Sequence, residues 1–506
     1  MKFSKVFSFA GFGILLLVLL CHCTSRNEVK KPNIIFLFAD DQCYNTVHAL
    51  GNNEIITPNL DRLSEQGVTF TNAFNMGAWN GAVCLASRAM MNTGRTVWRA
   101  YEYENHQEDL VDREEMWGQL MQQAGYETYM TGKWHVKTDA EKLFNHVTHV
   151  RPGMPGDAWP QAFQTIKEAI SDGKDLSHDE MMPSGYNRPK NTEDTTWQPW
   201  DKNFGGYWEG GKHWSEVLGD DAISYIEQAR NQEKPFFMYL AFNAPHDPRQ
   251  SPREFLDMYP TENISIPQSF IPEYPYKDSI GCGPLLRDEA LAPFPRAEYA
   301  VKVNRQEYYA IITHLDQQIG RILDALEKSG EMDNTYIFYT ADHGLAVGNH
   351  GLIGKQNMYD HSIRVPLFVM GPDVPKNKKL EVDVYLQDIM ASALDVAGLP
   401  KPEYIEFNSL MPFVKGQQAS GNYPAIYGCY APGLQRMIRK DGFKLIVYPQ
   451  GKTMRLYDVA NDPQEMNDLA ADLQYREKVN LLFKELLKLQ EQMDDPLDLK
   501  AIFERS

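Results

Sequence analysis

The stretch Asn33-Ile-Ile-Phe-Leu-Phe-Ala39, followed at once by Asp40-Asp41, decides the fold class. It has strand length and carries no charge. No polar alternation marks a solvent face, so the strand is expected to be buried on both sides. That is the condition of a central strand in a parallel sheet sandwiched by helices. Comparable apolar runs recur at residues 128–131, 235–242, 336–341 and 365–369. Helical patterns lie between them, most clearly at 60–66, 116–124, 220–232 and 305–328. The expected architecture is α/β: a large, mixed but mostly parallel sheet flanked by helices.

The rest of the chain extends this picture. It has 506 residues, 43% hydrophobic and 23% charged, which excludes disorder as its main state. Fifty Lys and Arg stand against 68 Asp and Glu, a formal charge of −18, and no nucleic-acid partner is expected. Residues 6–20, after Lys2 and Lys5, form an uncharged run of signal-peptide length, short for a membrane span. Cys21 and Cys23 close it, as in bacterial lipoprotein signals. An exported protein of the periplasm or outer membrane is expected, touching a membrane only through an N-terminal lipid. Cys43, Cys84, Cys282 and Cys429 are widely spaced and form no C-x-x-C pair, so no disulfide framework is implied. Short strands at 423–430, 435–439, 444–448 and 454–457, then a helix over 473–493, read as an antiparallel sheet with a terminal helix. The expected parts are a signal (1–23), a catalytic domain (30–400) and a smaller C-terminal α+β subdomain (401–506). Residues 151–211 and 260–295 read as long loops.

Each buried run ends in residues that carry chemistry: Asp40-Asp41, Gly132-Lys133-Trp134-His135, Asn243-Ala244-Pro245-His246 and Asp342-His343-Gly344. One such ending is ordinarily a turn or helix cap. Four together are better explained by one site beyond the carboxyl ends of the strands. Asp40, Asp41 and Asp342 supply the oxygen ligands that Ca²⁺ or Mg²⁺ prefers, and His343 adds a nitrogen. A two-zinc centre would use more histidines.

The most specific segment is Cys84-Leu85-Ala86-Ser87-Arg88, continuing to Thr93-Gly94-Arg95. Here the sequence resembles the sulfatases, the formylglycine-dependent branch of the alkaline-phosphatase-like superfamily, whose signature runs C-x-P-S-R and then T-G-R. Ala86 replaces the usual proline, and Met91-Asn92 the usual paired leucines. Thr57-Pro58-Asn59-Leu60-Asp61-Arg62-Leu63, Gly132–His135, Pro245-His246, Asp342–Gly344, Leu456-Tyr457-Asp458 and Asn461-Asp462-Pro463 extend the resemblance over nearly the whole mature chain.

The resemblance implies that a maturation enzyme oxidises Cys84 to formylglycine (3-oxoalanine), whose hydrate is the nucleophile. It implies a metal site of Asp40, Asp41, Asp342, His343 and the modified Cys84, holding Ca²⁺, with Mg²⁺ as the alternative. Arg88 would orient the diol, and Lys133 and Lys355 would bind the sulfuryl group. His246 would contact substrate and protonate the leaving alcohol, and His135 would take a proton from the second hydroxyl. Lys212-His213-Trp214, after a Gly pair, is a candidate sugar-recognition patch, with His213 as its substrate contact. The implied function is hydrolysis of a sulfate ester on a sugar or oligosaccharide. Exo action is expected, because the acidic exterior repels a long sulfated polymer. A phosphodiester or phosphonate ester hydrolase on the same fold remains open. So does a non-catalytic glycan-binding lipoprotein with unmodified Cys84.

Overall fold

In the computed structural model, β1 (Asn33–Ala39) is buried at every position and lies within a nine-stranded sheet. Met1 and residues 30–156, 158–174 and 182–504 are described; the expected signal, with Cys21 and Cys23, lies outside the described residues apart from Met1. The other strands of the sheet are β2 (Val68–Phe74), β3 (Glu127–Lys133), β4 (His146–Arg151), β5 (Phe236–Ala241), β6 (Thr335–Ala341), β7 (Arg364–Val365), β8 (Leu367–Met370) and β9 (Lys378–Tyr385). Their order is β7-β2-β8-β6-β1-β5-β3-β4, with β9 paired to β2. From β6 to β4 every pairing is parallel, whereas β8 is antiparallel to both β6 and β2. The mixed, mostly parallel sheet inferred from the apolar runs is present. The run at 365–369 is not one strand, however. Pro366 has no N–H to donate and separates β7 from β8.

Register brings the chemistry-bearing ends together. Ala39 pairs with Ala341, Phe38 with Ala241, and Gly132 with Ala241. Because β6, β1, β5 and β3 are adjacent and parallel, the residues after each of them emerge at one edge.

The principal helices are α1 (Pro58–Gln66), α2 (Val83–Thr93), α3 (Trp117–Gln123), α4 (Trp214–Ala229), α5 (Glu298–Ser329), α6 (Asp388–Ala397) and α7 (Arg476–Gln492). α5 packs on α4 and α1. Trp117 of α3 is set 5.1 Å from both Phe36 and Phe237, ring centre to ring centre. The segment read as loop from 151 to 211 contains a further helix, Trp159–Ser171. Pro160 lies in its first turn, where proline costs no hydrogen bond, so the Pro- and Trp-rich texture concealed it.

A second sheet joins β10 (Ile426–Tyr430), β11 (Gln435–Lys440), β12 (Phe443–Tyr448) and β13 (Thr453–Asp458) in antiparallel succession. α7 covers it with Leu482, Leu486 and Leu489. The fifth strand is Gly77–Ala78, from the segment just before α2, paired in parallel with β10. The described residues from Pro32 onward form one compact unit. Among the described residues no helix is long and apolar enough to cross a membrane.

Gly77 is the tightest point of the seam between α2 and the second sheet. Its φ is 99°, and a Cβ there would lie 1.8 Å from the Cys429 carbonyl oxygen. Gly77→Ala is therefore expected to cost about 3 kcal/mol through strain and displaced backbone. Urea unfolding checks this; an unchanged midpoint would contradict the close approach.

Candidate active site

Every residue of α2 is buried, and Cys84 and Arg88, four positions apart, share one face. Cys84 lies in the first turn, where unpaired backbone N–H groups favour a thiolate. Burial pushes its thiol up, but Lys133, His135 and Lys355 outweigh burial and hold it well below the usual range. Its Sγ is 3.3 Å from His135 Nδ1. Burial pushes the thiols of Cys43, Cys282 and Cys429 the other way. α2 ends at Gly94, whose φ of 69° lets its N–H close on the Met90 carbonyl. Thr93 Oγ1 donates to the Ala89 carbonyl at 2.8 Å, and Arg95 pairs with Glu115. The Thr-Gly-Arg part of the pattern thus terminates the helix that carries Cys84 and Arg88.

Asp40, Asp41 and Asp342 are wholly buried, and each has a basic partner. Lys133 Nζ donates to Asp40. Lys355 Nζ donates to both oxygens of Asp41, at 3.0 and 2.9 Å. Arg88 Nε donates to Asp342 Oδ2 at 3.0 Å and Nη1 to the Lys133 carbonyl at 2.9 Å. The guanidinium rests 4.5 Å from the ring centre of Phe38 in β1.

Burial raises all three carboxyl groups, and their neighbours then separate them. Asp40 stays well above the usual range, with Asp342 reinforcing burial. Asp41 falls well below it because His246, Lys355 and His343 surround it. Asp342 is lowered mainly by Arg88 and then by His343. His343 Nε2 lies 3.0 Å from Asp41 Oδ1 and 3.7 Å from Asp342 Oδ1. Burial lowers its pKa, but these carboxylates prevail and raise it to about 10.

Ligand atoms of Asp40, Cys84, Asp342 and His343 lie within 4.8 Å of one another, and Asp40 Oδ1 has no hydrogen-bond partner. The set is buried and incompletely satisfied, and its two carboxylates offer the oxygen ligands that a hard divalent cation takes. A cation and the His343 proton would compete for the same carboxylates. Asp41, expected in the same set, groups instead with His246 and Asp247 while touching His343.

Strain collects here too. Asp41 and His135 are left-handed, with φ of 69° and 51°, a cost of about 1–3 kcal/mol each. Tyr308 braces the first: its hydroxyl donates to the Asp41 carbonyl at 2.5 Å and accepts the Cys43 N–H at 2.9 Å. Beside His135, a Cβ on Gly153 would come within 2.6 Å of the imidazole.

His246 Nε2 faces Asp41 Oδ2 at 3.7 Å, and its Nδ1 is 2.8 Å from the Asp247 carbonyl. Arg287 grips the Asp247 carboxylate and reaches Asp288 at 2.8 Å; Asp288 also accepts from Gln356 at 2.7 Å. Sequence reasoning misses Asp247, Arg287, Asp288 and Tyr308. Asp247 was within reach as the neighbour of His246. The other three stand in a loop or mid-helix with no local signal.

His213 is not brought into this cluster. It is fully buried, its Nδ1 accepts the Ser215 N–H at 3.1 Å to cap α4, and its Nε2 lies 2.9 Å from the Gln250 carbonyl. With both ring nitrogens engaged it offers nothing to a ligand, which corrects its expected place as a substrate contact.

The strand ends and α2 thus bring one thiol, three basic side chains and three histidines together around buried carboxylates. A family model described as Sulfatase matches residues 32–399, and one described as N-sulphoglucosamine sulphohydrolase, C-terminal, matches 348–492. The chain belongs to the sulfatase family and is a sulfuric ester hydrolase. It is similar to N-acetylglucosamine-6-O-sulfatase of Bacteroides thetaiotaomicron, at 27% identity over 94% of this chain and 89% of the relative. A solved structure in complex with its substrate D-glucosamine-2-N,6-O-disulfate superposes with a TM-score of 0.68 at 23% identity, covering 92% of this chain and 99% of the other. The phosphonate monoester hydrolase of Agrobacterium radiobacter gives 0.67 at 22% identity, covering 91% and 96%. The fold is the alkaline-phosphatase-like one.

The contrast among the four thiols is testable in protein prepared with Cys84 unmodified. Because its thiolate is favoured below the ordinary pKa of about 8.5, iodoacetamide at pH 6.5 should label Cys84 ahead of Cys43, Cys282 and Cys429. Peptide mass mapping reads the order. Labelling of Cys84 confined to alkaline pH would refute the electrostatic argument.

Proposed function

We propose that the chain removes a sulfate ester from a sugar, using Cys84 as formylglycine and one divalent cation, Ca²⁺ before Mg²⁺. The observation that carries this is the convergence of Cys84 and Arg88, on one helix face, with Lys133, His135 and Asp342 from the strand ends. The name of the Bacteroides relative and the match at 348–492 support a sugar.

Hydrated formylglycine would supply a geminal diol as nucleophile, and a cation held by Asp40, Asp342, His343 and residue 84, with Asp41 next to His343, would supply positive charge beside it. Arg88, locked by Asp342 and the Lys133 carbonyl, orients the side chain at position 84. Lys133 and Lys355 are the ammonium groups available to sulfuryl oxygens. His135 is placed to take a proton from the residue-84 side chain. His246 has its Nδ1 at the Asp247 carbonyl, which leaves Nε2 to give a proton to the leaving alcohol. Export with an N-terminal lipid is the setting that residues 1–23 support, and short or terminal sulfated sugars suit the acidic exterior.

Peptide mass spectrometry of native protein should find the aldehyde or its hydrate at position 84; full activity with an intact thiol there would refute the nucleophile. Chelation should lower the melting temperature and Ca²⁺ restore it, a stabilisation of about 2.7 kcal/mol at a hundredfold excess over Kd. Asp342→Ala should erase that response. His246→Ala should slow a sulfated sugar about 10²–10⁴-fold but hardly affect 4-nitrophenyl sulfate, whose leaving group needs no proton. Equal losses on both would remove the general-acid role. Faster turnover of a phenyl phosphonate ester than of the aryl sulfate would replace the reading itself.

A further inference from the structure

Tyr207 ties down the backbone of the loop that carries His246. Its hydroxyl meets the carbonyls of Asn243 and His246 at 2.7 and 3.1 Å, and its N–H donates to Gln250 Oε1 at 2.7 Å. These ties fix where the loop runs but not how the imidazole is turned. Residue 247 does that. Its carbonyl lies 2.8 Å from His246 Nδ1, and its carboxylate Oδ1 lies 3.3 Å from the same atom. Both are acceptors, so Nδ1 keeps its proton, and Nε2 is the nitrogen that faces Asp41, 3.7 Å away.

The Asp247 carboxylate could undo this arrangement. It is buried, and a buried carboxylate must find a cation. Left alone it would turn onto the imidazole and pull the ring out of line. Arg287 supplies the cation instead: Nη1 donates to Oδ1 at 3.3 Å, and Nη2 donates to Oδ2. A guanidinium gripping both oxygens fixes the plane of a carboxylate as well as its charge, which a lysine cannot do.

The segment that carries Arg287 is itself anchored. Asp288 accepts from Arg287 Nη1 at 2.8 Å and from Gln356 Nε2 at 2.7 Å, and lies 3.8 Å from Lys355 Nζ. Glu289 is fully buried, pairs with Arg296 and accepts the N–H groups of Ile353 and Gly354 at 3.0 and 2.9 Å. Three consecutive side chains thus bind the residue after His246 and the loop that carries Lys355. Gln356 Nε2 reaches on to the Gly81 carbonyl at 3.0 Å, three positions before Cys84.

We propose that Arg287 is a positioning residue: by locking the Asp247 carboxylate it holds the His246 imidazole with Nδ1 turned inward and Nε2 turned to the leaving alcohol. The inference rests on the reading of His246 as proton donor above. When Nε2 gives its proton to the departing oxygen, Nδ1 keeps its own against Asp247 and the ring ends neutral. Arg287 transfers no proton itself, so its contribution grows with the leaving group's need for one.

The test uses the full-length, mature enzyme and two aryl sulfates, 4-nitrophenyl sulfate and phenyl sulfate, whose leaving groups differ in that need and involve no sugar. The readout is the ratio of kcat for phenyl sulfate to kcat for 4-nitrophenyl sulfate. Arg287→Ala should lower it about tenfold. Arg287→Lys, which keeps the charge but loses the two-point grip, should lower it less. Should Arg287→Ala fail to fold, Arg287→Lys carries the same comparison. Added to His246→Ala, either variant should lower the ratio no further than His246→Ala alone. Equal losses on both esters, or a full further loss in the His246→Ala background, overturn the proposal. A wild-type ratio in His246→Ala would remove the general-acid role alone. In that case ring-nitrogen chemical shifts of histidine-labelled protein decide: displacement of the His246 Nδ1 proton in the Arg287 variant upholds the positioning, and an unchanged spectrum overturns it.

Discussion

Three carboxylates buried beyond the ends of parallel strands must find positive partners, and the rest of the site follows from that demand. Taking a carboxylate out of water costs several kcal/mol unless charge and hydrogen bonds replace the solvent. Asp40 and Asp342 emerge from β1 and β6, whose register sets Ala39 beside Ala341. Their cations come from elsewhere in the chain: Lys133 from β3, Lys355 from the loop after β6, and Arg88 from α2. α2 must consequently be pressed against the sheet edge. Phe38 beneath Arg88, the Gly94 terminus and the Gly77 seam to the second sheet each serve that placement. Cys84, one turn before Arg88, is delivered to the carboxylates by the same packing.

The parts legible in the sequence are those governed by local pattern. Uninterrupted apolar runs identified β1, β5 and β6 closely, because strands covered on both faces tolerate little else. The polar residues after each strand marked the site edge, since direction and adjacency place them together. Strand direction for β8 was not legible, because an apolar run carries no polarity and Pro366 acts only through hydrogen-bond geometry. Gly77–Ala78 is too short to show a period, yet it joins two sheets. His213 illustrates the opposite error. A histidine after two glycines reads as exposed, but Gln250, brought in by the loop after β5, covers it. Arg287 gains its place only through Asp247 and Asp288, contacts that no spacing announces.

The relation between the chain's total charge and its reacting centre is subtler than a positive pocket on an acidic protein. Arg88, Lys133 and Lys355 are each paired with a carboxylate, although burial and Asp342 hold the Asp40 carboxyl well above its usual range. Beyond Lys133 and Lys355 themselves, His343 adds positive charge beside Asp41 and Asp342, where a divalent cation would compete with its proton. The surrounding protein carries −18, but its reach through solvent fades over about 8 Å at physiological salt. A lone sulfate entering the centre thus meets a short-range attraction with little opposing field. Under the proposed function, further sulfates along a polymer would instead add repulsion from an acidic exterior. Selectivity for a sparsely sulfated chain can therefore arise from how charge is distributed around one well-compensated centre, with no group devoted to excluding the denser polymer.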